Sequence, residues 1–401
     1  MKSNYKKIGD FIQLVDERNA GHVVKNLLGL SISKQFIPSV ANIIGTDMEN
    51  YKIIRKNQFA CSTMQVRRDK KMPVALLNEV DEAIISQAYP IFEVKDEELL
   101  NPEYLMMWFS RSEFDREACF HAVGGVRGSL EWEDFCEMEL PIPSIEKQRE
   151  IVKEYNTIVT RIKLNKQLNQ KLEETAQAIY KQWFVDFEFP DENGNTYKSN
   201  GGEMVWNEEL GKEVPEGWEV KRLNQVCDVL NGRAYAETEF RENGTPIIRI
   251  QNLSGGNKYV FSDMNLEPDK YVEKDDLIFA WSATFGPFIW RGLKSIYHYH
   301  IWKLNCYKPE YKFLLYNYFL IETKRVSGEG SGSIFSHITK SLMESQLVLV
   351  PSEQILENFH TIALTIDKNI ADYFFEKLKL NELQDVFLSK MTKVETEKEV
   401  V

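Results

Sequence analysis

Cysteine is scarce and unpatterned: five in 401 residues, with no C-x-x-C pair. That excludes a disulfide framework and a paired-cysteine zinc site, and it predicts a reducing, cytoplasmic setting. Long apolar runs are missing as well. The longest, such as FLLYNYFLI at 313–321, fall far short of the roughly 20 residues that span a bilayer. The opening MKSNYKKIGDFIQ lacks the apolar core of a signal peptide. No membrane partner is expected. No Walker A sequence is present, so no ATP site of that kind is expected. An excess of basic charge is lacking too: 49 Lys and Arg stand against 61 Asp and Glu, a net −12. A protein that clamps nucleic acid unaided is usually basic. Part of the acid is local, since 188–213 carries seven carboxylates against two lysines.

What the chain does have is a repeat. GGVRGSL at 124–130 returns as GEGSGSI at 328–334, 204 positions later. Each Gly-rich stretch leads through apolar residues to a Pro-Ser pair, Pro143-Ser144 and Pro351-Ser352. Each Pro-Ser opens a long amphipathic helix. The first seam is Ile151, Tyr155, Ile158, Ile162, Asn165, Asn169, Leu172, Ala176, Ile179, Trp183. The second is Ile355, Phe359, Ile362, Ile366, Asn369, Tyr373, Glu376, Leu380, Leu383, Phe387, interrupted by Glu376. Steps of four and three predict a coiled coil. Asn165 and Asn369 align; they either meet across an antiparallel pair or face solvent. Upstream, YKIIRKNQFA (51–60) parallels DKYVEKDDLIFA (269–280), and LLGLSI (27–32) parallels IIRIQN (247–252). A period near 200 means duplicated domains, not a solenoid.

The predicted fold class is α/β (α+β): two tandem heads, each followed by a long helix, with the helices forming a coiled coil. The expected parts are a first head at 1–143, a helix at 144–186 and a Gly-, Asn- and acid-rich linker at 187–214. A second head at 215–350, a second helix at 351–394 and a tail at 395–401 follow. EAIISQAYPIFEV (82–94) reads as strand. NPEYLMMWFSRSEFDREAC (101–119) reads as a helix with Asn101 as N-cap and Pro102 at its first position.

Catalytic motifs fail. NPEY at 101–104 resembles the Asn-Pro-Pro-Tyr of adenine methyltransferases, but Glu103 replaces the second proline and no S-adenosylmethionine loop lies upstream. Asp191, Glu219 and Lys221 loosely fit a Mg²⁺ nuclease pattern, yet Asp191 sits in the expected linker. His298 and His300 alternate with tyrosines in SIYHYHIWKLNC and could face one side, but a third metal ligand is not evident. No catalytic residue and no metal site are assigned.

Recognition chemistry remains. Reading DNA grooves takes Arg, Lys, Asn, Gln, Ser and Thr on loops. The first head offers Gln65, Arg67, Arg68, Lys70 and Lys71 after a strand-like run, then Arg127 in the Gly-rich stretch. The second offers Asn231, Arg233, Arg249, Gln251, Asn252, Ser282, Thr284, His337 and Lys340. A pure coiled-coil scaffold is the rival reading; it predicts no sequence preference.

KLEETAQAIYKQWFVDFEFP (171–190), PIPSIEKQREIV (141–152) and VPEGWEVKRL (214–223) resemble the central, domain-closing and domain-opening motifs of type I restriction-modification specificity subunits. FIPSVANIIGTD, EYLMMWFSR and WEDFCEMELPIPS resemble one class of that family's target recognition domains. VPSEQILENF (350–359) departs from the pattern after its Pro-Ser. The resemblance implies a subunit without catalysis of its own. Each head would read one half of a bipartite site on double-stranded DNA, and the two helices, packed as an antiparallel coiled coil, would set the spacer. It also implies two methyltransferase subunits and restriction/translocase subunits as partners. S-adenosylmethionine, ATP and Mg²⁺ would sit on those partners, with no cofactor in this chain.

Overall fold

A computed structural model describes residues 5–39, 47–124, 128–256, 258–328 and 339–393. The chain divides into two units, 1–164 with 376–401, and 165–375. Neither division falls in a linker. Both cut through the long helices, the central Ile145–Tyr180 and the C-terminal Glu353–Lys390. Each unit therefore holds one head and half of each helix.

The two heads share one strand plan. In the first, a four-stranded sheet runs Ile12–Val15, Ile91–Val94, Phe59–Cys61, Val74–Leu76, every neighbour antiparallel. In the second, the order is Cys227–Asn231, Ile301–Cys306, Leu277–Ala280, Gly286–Ile289, again antiparallel throughout. The smaller pairings also recur. Lys52–Arg55 with Glu82–Ile85 matches Tyr271–Val272 with Ser295–Tyr297. Leu28–Leu30 with Phe36–Pro38 matches Thr245–Ile248 with Val260–Ser262. The sequence echoes at 51–60 and 269–280 thus occupy equivalent places.

The opening and closing motifs of each head form one ribbon. Tyr5–Lys7 pairs with Glu139–Pro141, and Glu219–Arg222 pairs with Leu347–Val350. The ribbon delivers the chain to the Pro-Ser that starts each helix. At the first start Gln148, fully buried, accepts from Asn101 N at 2.9 Å and donates to Leu99 O at 3.0 Å and Pro143 O at 2.9 Å. The second Pro-Ser has Leu356 at the equivalent place, buried among apolar side chains. That difference explains why the second start departs from the first.

The helices run antiparallel in both units. In the first, Tyr155 Oη accepts from Gln384 Nε2 at 2.7 Å and its ring lies 6.2 Å from Phe387. In the second, Asn169 Nδ2 donates to Ile370 O at 3.3 Å, and the Tyr180 ring lies 6.0 Å from Phe359. On the central helix Ile151, Ile158, Asn165 and Trp183 are buried; Ile162, Leu172 and Ile179 are half-buried.

The seam expected on the C-terminal helix needs correction. Ile355 and Ile366 are half-buried and Phe359 is buried, but Ile362 is 37% exposed and Leu383 48% exposed. Asn369 is exposed and bonds Thr365 O of its own helix at 2.8 Å. The fully buried positions are Leu356, Phe359, Ala363, Asp367, Ala371 and Leu388, mostly one place further along. Two partners pull on this helix: Leu356, Phe359 and Ala363 join the same core as Leu315 and Phe319 of the second head. A stripe shared between a helix and a head turns away from a strict heptad.

Two other expectations change. The helix at 101–119 is two helices, Pro102–Phe109 and Ser112–His121, broken where Arg111 stacks 4.0 Å over Trp108. The segment 187–214 is not a loose linker. It carries the hairpin Met204–Asn207 with Lys212–Pro215, and it buries Phe187, Phe189 and Val214. Trp218 is the anchor, with ring centroids 5.6 Å from Phe184, 5.7 Å from Phe187 and 5.1 Å from Phe189. Phe184 in turn lies 4.8 Å from Phe359. The Trp-Phe-Val-Asp-Phe run is therefore an aromatic core. A π-helical turn at Lys181–Val185 lets it leave the helix with both Trp183 and Phe184 inward.

Candidate nucleic-acid interface

In the first head the chain leaves the strand Phe59–Cys61 and makes one helical turn, Val66–Asp69. Left-handed residues bracket that turn: Gln65 at φ 64° and Lys70 at φ 52°. Such backbone is unfavourable for non-glycine residues and persists only when the surroundings fix it. Here the fully buried Val66 and Met72 do so. Arg68, Lys70 and Lys71 are exposed, and Gln65 is half-buried. Arg68 lies against Asp69, at 2.6 and 3.0 Å, on the surface. Arg67 has a different job. Its Nη2 donates to Ala122 O at 2.8 Å, tying this turn to the start of the Gly-rich stretch. A Cβ on Gly128, at φ 47°, would come within 2.6 Å of Arg67 Cβ. Arg127 lies outside the described residues.

In the second head Asn231 ends the first sheet strand and is exposed. Gly232 follows because a Cβ there would stand 2.3 Å from His298 O. Arg233 is held by Glu239 at 3.2 and 2.6 Å and lies 5.1 Å over the Tyr235 ring. Those hydrogen bonds raise its pKa and lower that of Glu239. Asn252 points inward: it is buried, accepts from Arg249 N at 2.9 Å, and donates to Gly256 O and Lys258 O at 3.1 and 3.0 Å. It shapes the loop and has no amide left to offer a base. Gln251 is exposed, and Ser282 is half-buried. Thr284 shares a 2.5 Å hydrogen bond with Ser254. Lys340 is exposed beside Glu344 at 3.4 Å. His337 lies outside the described residues.

Arg249 stands in a cluster with His298 and His300, which were not among the candidate DNA contacts. Strand Thr245–Ile248 pairs in parallel with Ser295–Tyr297, placing Ile248 beside Tyr297. The next residues on each, Arg249 and His298, then come together. His298 lies 4.8 Å from His300 and 4.3 Å from Tyr299, ring to ring, and Trp281 lies 5.0 Å from His300. Burial, then His300, then Arg249 lower the pKa of His298. The arrangement is a cationic and aromatic patch suited to phosphates and stacked bases. The alternating Tyr-His-Tyr-His was its signal in sequence. Among the described residues no cluster of His, Cys, Asp or Glu could hold a metal ion. Asp191 accepts from the backbone of Asn193 and Asn195 at 2.8 Å each, and Glu219 pairs with Lys221 at 2.8 Å.

The family model for the type I restriction modification DNA specificity domain matches residues 30–174 and 215–394, once over each repeat. The chain belongs to the type I restriction-modification specificity family. Two specificity subunits are similar over much of their length. The MjaIX specificity subunit of Methanocaldococcus jannaschii is 25% identical over 308 residues, covering 72% of this chain and 68% of that one. The HindI specificity subunit of Haemophilus influenzae is 21% identical over 421 residues, covering 88% and 89%. The crystal structure of a type I restriction-modification S subunit from M. genitalium has the same fold, with TM-score 0.56 at 15% identity over 98% of this chain and 96% of that one. Among the described residues no helix is long and apolar enough to cross a membrane.

Proposed function

We propose that this chain is the DNA-reading subunit of a type I restriction-modification complex, with each head recognising one half of a bipartite, asymmetric site. The carrying observation is the shared strand order of two heads whose loops present different side chains. One plan with two chemistries suits two different half-sites. The helices hold the spacing and dock two methyltransferase subunits, and restriction/translocase subunits join that assembly. S-adenosylmethionine, ATP and Mg²⁺ belong to those partners, and this chain performs no catalysis. A nuclease centre is disfavoured because Asp191 is spent on its own turn and Glu219 on Lys221.

The charge of −12 bears on the test. Phosphate contacts dominate affinity for DNA. The chain alone should therefore bind weakly, and specific affinity should appear with its methyltransferase partner. Sequencing methylated adenines in DNA from cells carrying the pair should give one bipartite motif. Tight specific binding by the isolated chain at physiological salt, or methylation without a motif, would overturn the reading.

A further inference from the structure

The second unit holds a half-open pocket of about 220 Å³ between the central helix, the second head and the C-terminal helix. A dry cavity of roughly 150 Å³ already accepts benzene, so this one has room for one small organic molecule. Its walls combine aromatic rings, among them Phe288, Tyr316 and Phe374, with a few polar groups.

Those polar groups are unevenly used. Arg291 is taken by Asp275 and Asp367, so the cation in the wall is already neutralised. Lys324 Nζ is held by Gln177 Oε1 at 2.5 Å. Asn317, 2% exposed, donates its amide to Phe313 O at 2.9 Å, and Asn169 donates to Ile370 O. The side-chain carbonyls of both asparagines are shut from solvent and have no hydrogen-bond partner among the described residues. Buried acceptors without donors are uncommon in native proteins. The Glu173 carboxyl, exposed at the pocket's rim, has no ion pair or hydrogen bond among the described residues; partial desolvation pushes its pKa up against the opposing charge of nearby Lys324. What the wall has left over is mostly hydrogen-bond acceptors, one anion and aromatic faces. That combination attracts a cation with several N–H donors.

We propose that this pocket is a binding site for a small organic cation: a primary ammonium, carried on a short apolar or aromatic body. The ammonium meets Glu173 and, after small side-chain turns, the carbonyls of Asn169 and Asn317. The body lies against Phe288 and Phe374. This proposal does not rest on the DNA-reading function and is tested on the chain by itself.

The probe is 2-phenylethylammonium, with 2-phenylethanol as its uncharged counterpart, titrated calorimetrically into the full-length chain. One ammonium should bind per chain, about tenfold tighter than the alcohol, as expected for one charge-assisted hydrogen bond. Glu173→Gln, nearly isosteric and not needed for packing, should remove about that factor. Glu174→Gln, on the neighbouring solvent-facing position, should leave binding unchanged. Three results would each overturn the proposal: equal affinity for the alcohol, unchanged affinity in Glu173→Gln, or no saturable binding at millimolar ammonium.

Discussion

Arg161 on the central helix grips Glu376 on the C-terminal helix with two hydrogen bonds, Nε to Oε1 at 2.7 Å and Nη2 to Oε2 at 3.0 Å. Glu376 places a charge in the seam, and this pairing explains why. The side chains are 45% and 37% exposed, so the pair contributes only about 0.2–1 kcal/mol. Its value is register, because a fork meets a carboxylate in one alignment only.

Ile158 lies near this pair and is 9% exposed. Ile158→Asp should destabilise the first unit by at least about 3 kcal/mol, combining lost burial with a desolvated carboxylate. Glu376→Ala should shift the same denaturation curve by under about 1 kcal/mol. Comparable shifts from both would show that the helices are not held by apolar contact there.

Asn101 caps the helix Pro102–Phe109, accepting from Tyr104 N at 3.0 Å. Its own N–H is bonded to Gln148. Asn101→Ala should weaken the first unit by about 1 kcal/mol through the lost cap. Asn101→Asp, which keeps the acceptor, should cost much less in urea denaturation.

Acid should loosen 187–201 before the heads. Glu188 accepts from Ser199 Oγ at 2.5 Å and N at 3.1 Å, and Asp191 accepts from Asn195 N and Asn193 N. These bonds hold both carboxyls below their ordinary values of 4.5 and 3.8. A depressed folded pKa gives stability that is complete above the ordinary value and is lost as pH falls through the folded one. Hydrogen-exchange protection, measured relative to the intrinsic rate at each pH, should therefore fall in 187–201 below those values while the sheet of each head stays protected. Simultaneous loss everywhere would contradict this.

Specificity should be modular. Exchanging 215–350 for another family member's second head should change one half of the methylated motif. Inserting four residues in the central helix adds about 6 Å along its axis, close to two base pairs at about 3.4 Å each. That insertion should lengthen the spacer and spare both halves. Methylation mapping that shows both halves altered by the head exchange would end the two-reader model.

The repeat, the two heptad helices and the Asn101 cap were legible because each rests on local spacing, whereas the antiparallel pairing came from the family resemblance. The rotated stripe on the C-terminal helix was not. Ile362 and Leu383 are as apolar as a seam requires, and only the competing core around Phe319 decides that Ala363 goes inside instead. The segment 187–214 misled for a related reason. Its composition is that of a linker, but Phe187 and Phe189 find Trp218, about thirty residues on. Among the candidate contacts, Arg68 and Lys71 stand on the surface as expected, while Asn252 turns inward because a loop carbonyl is nearer than solvent. Arg249 beside His298 depends on strand pairing across 49 positions, which no local pattern announces.

Leu388 and Met391 belong to the same core as Ile8, Phe59 and Ile151. A ribosome has made the whole first head and all of the second before it reaches them. At about 5–20 residues per second, the roughly 230 residues from 164 to 391 take some ten to forty-five seconds. Through that interval the nascent first unit shows an unfilled apolar face, while the second unit, contiguous in sequence, can close first. The order of synthesis and the order of completion are thereby reversed.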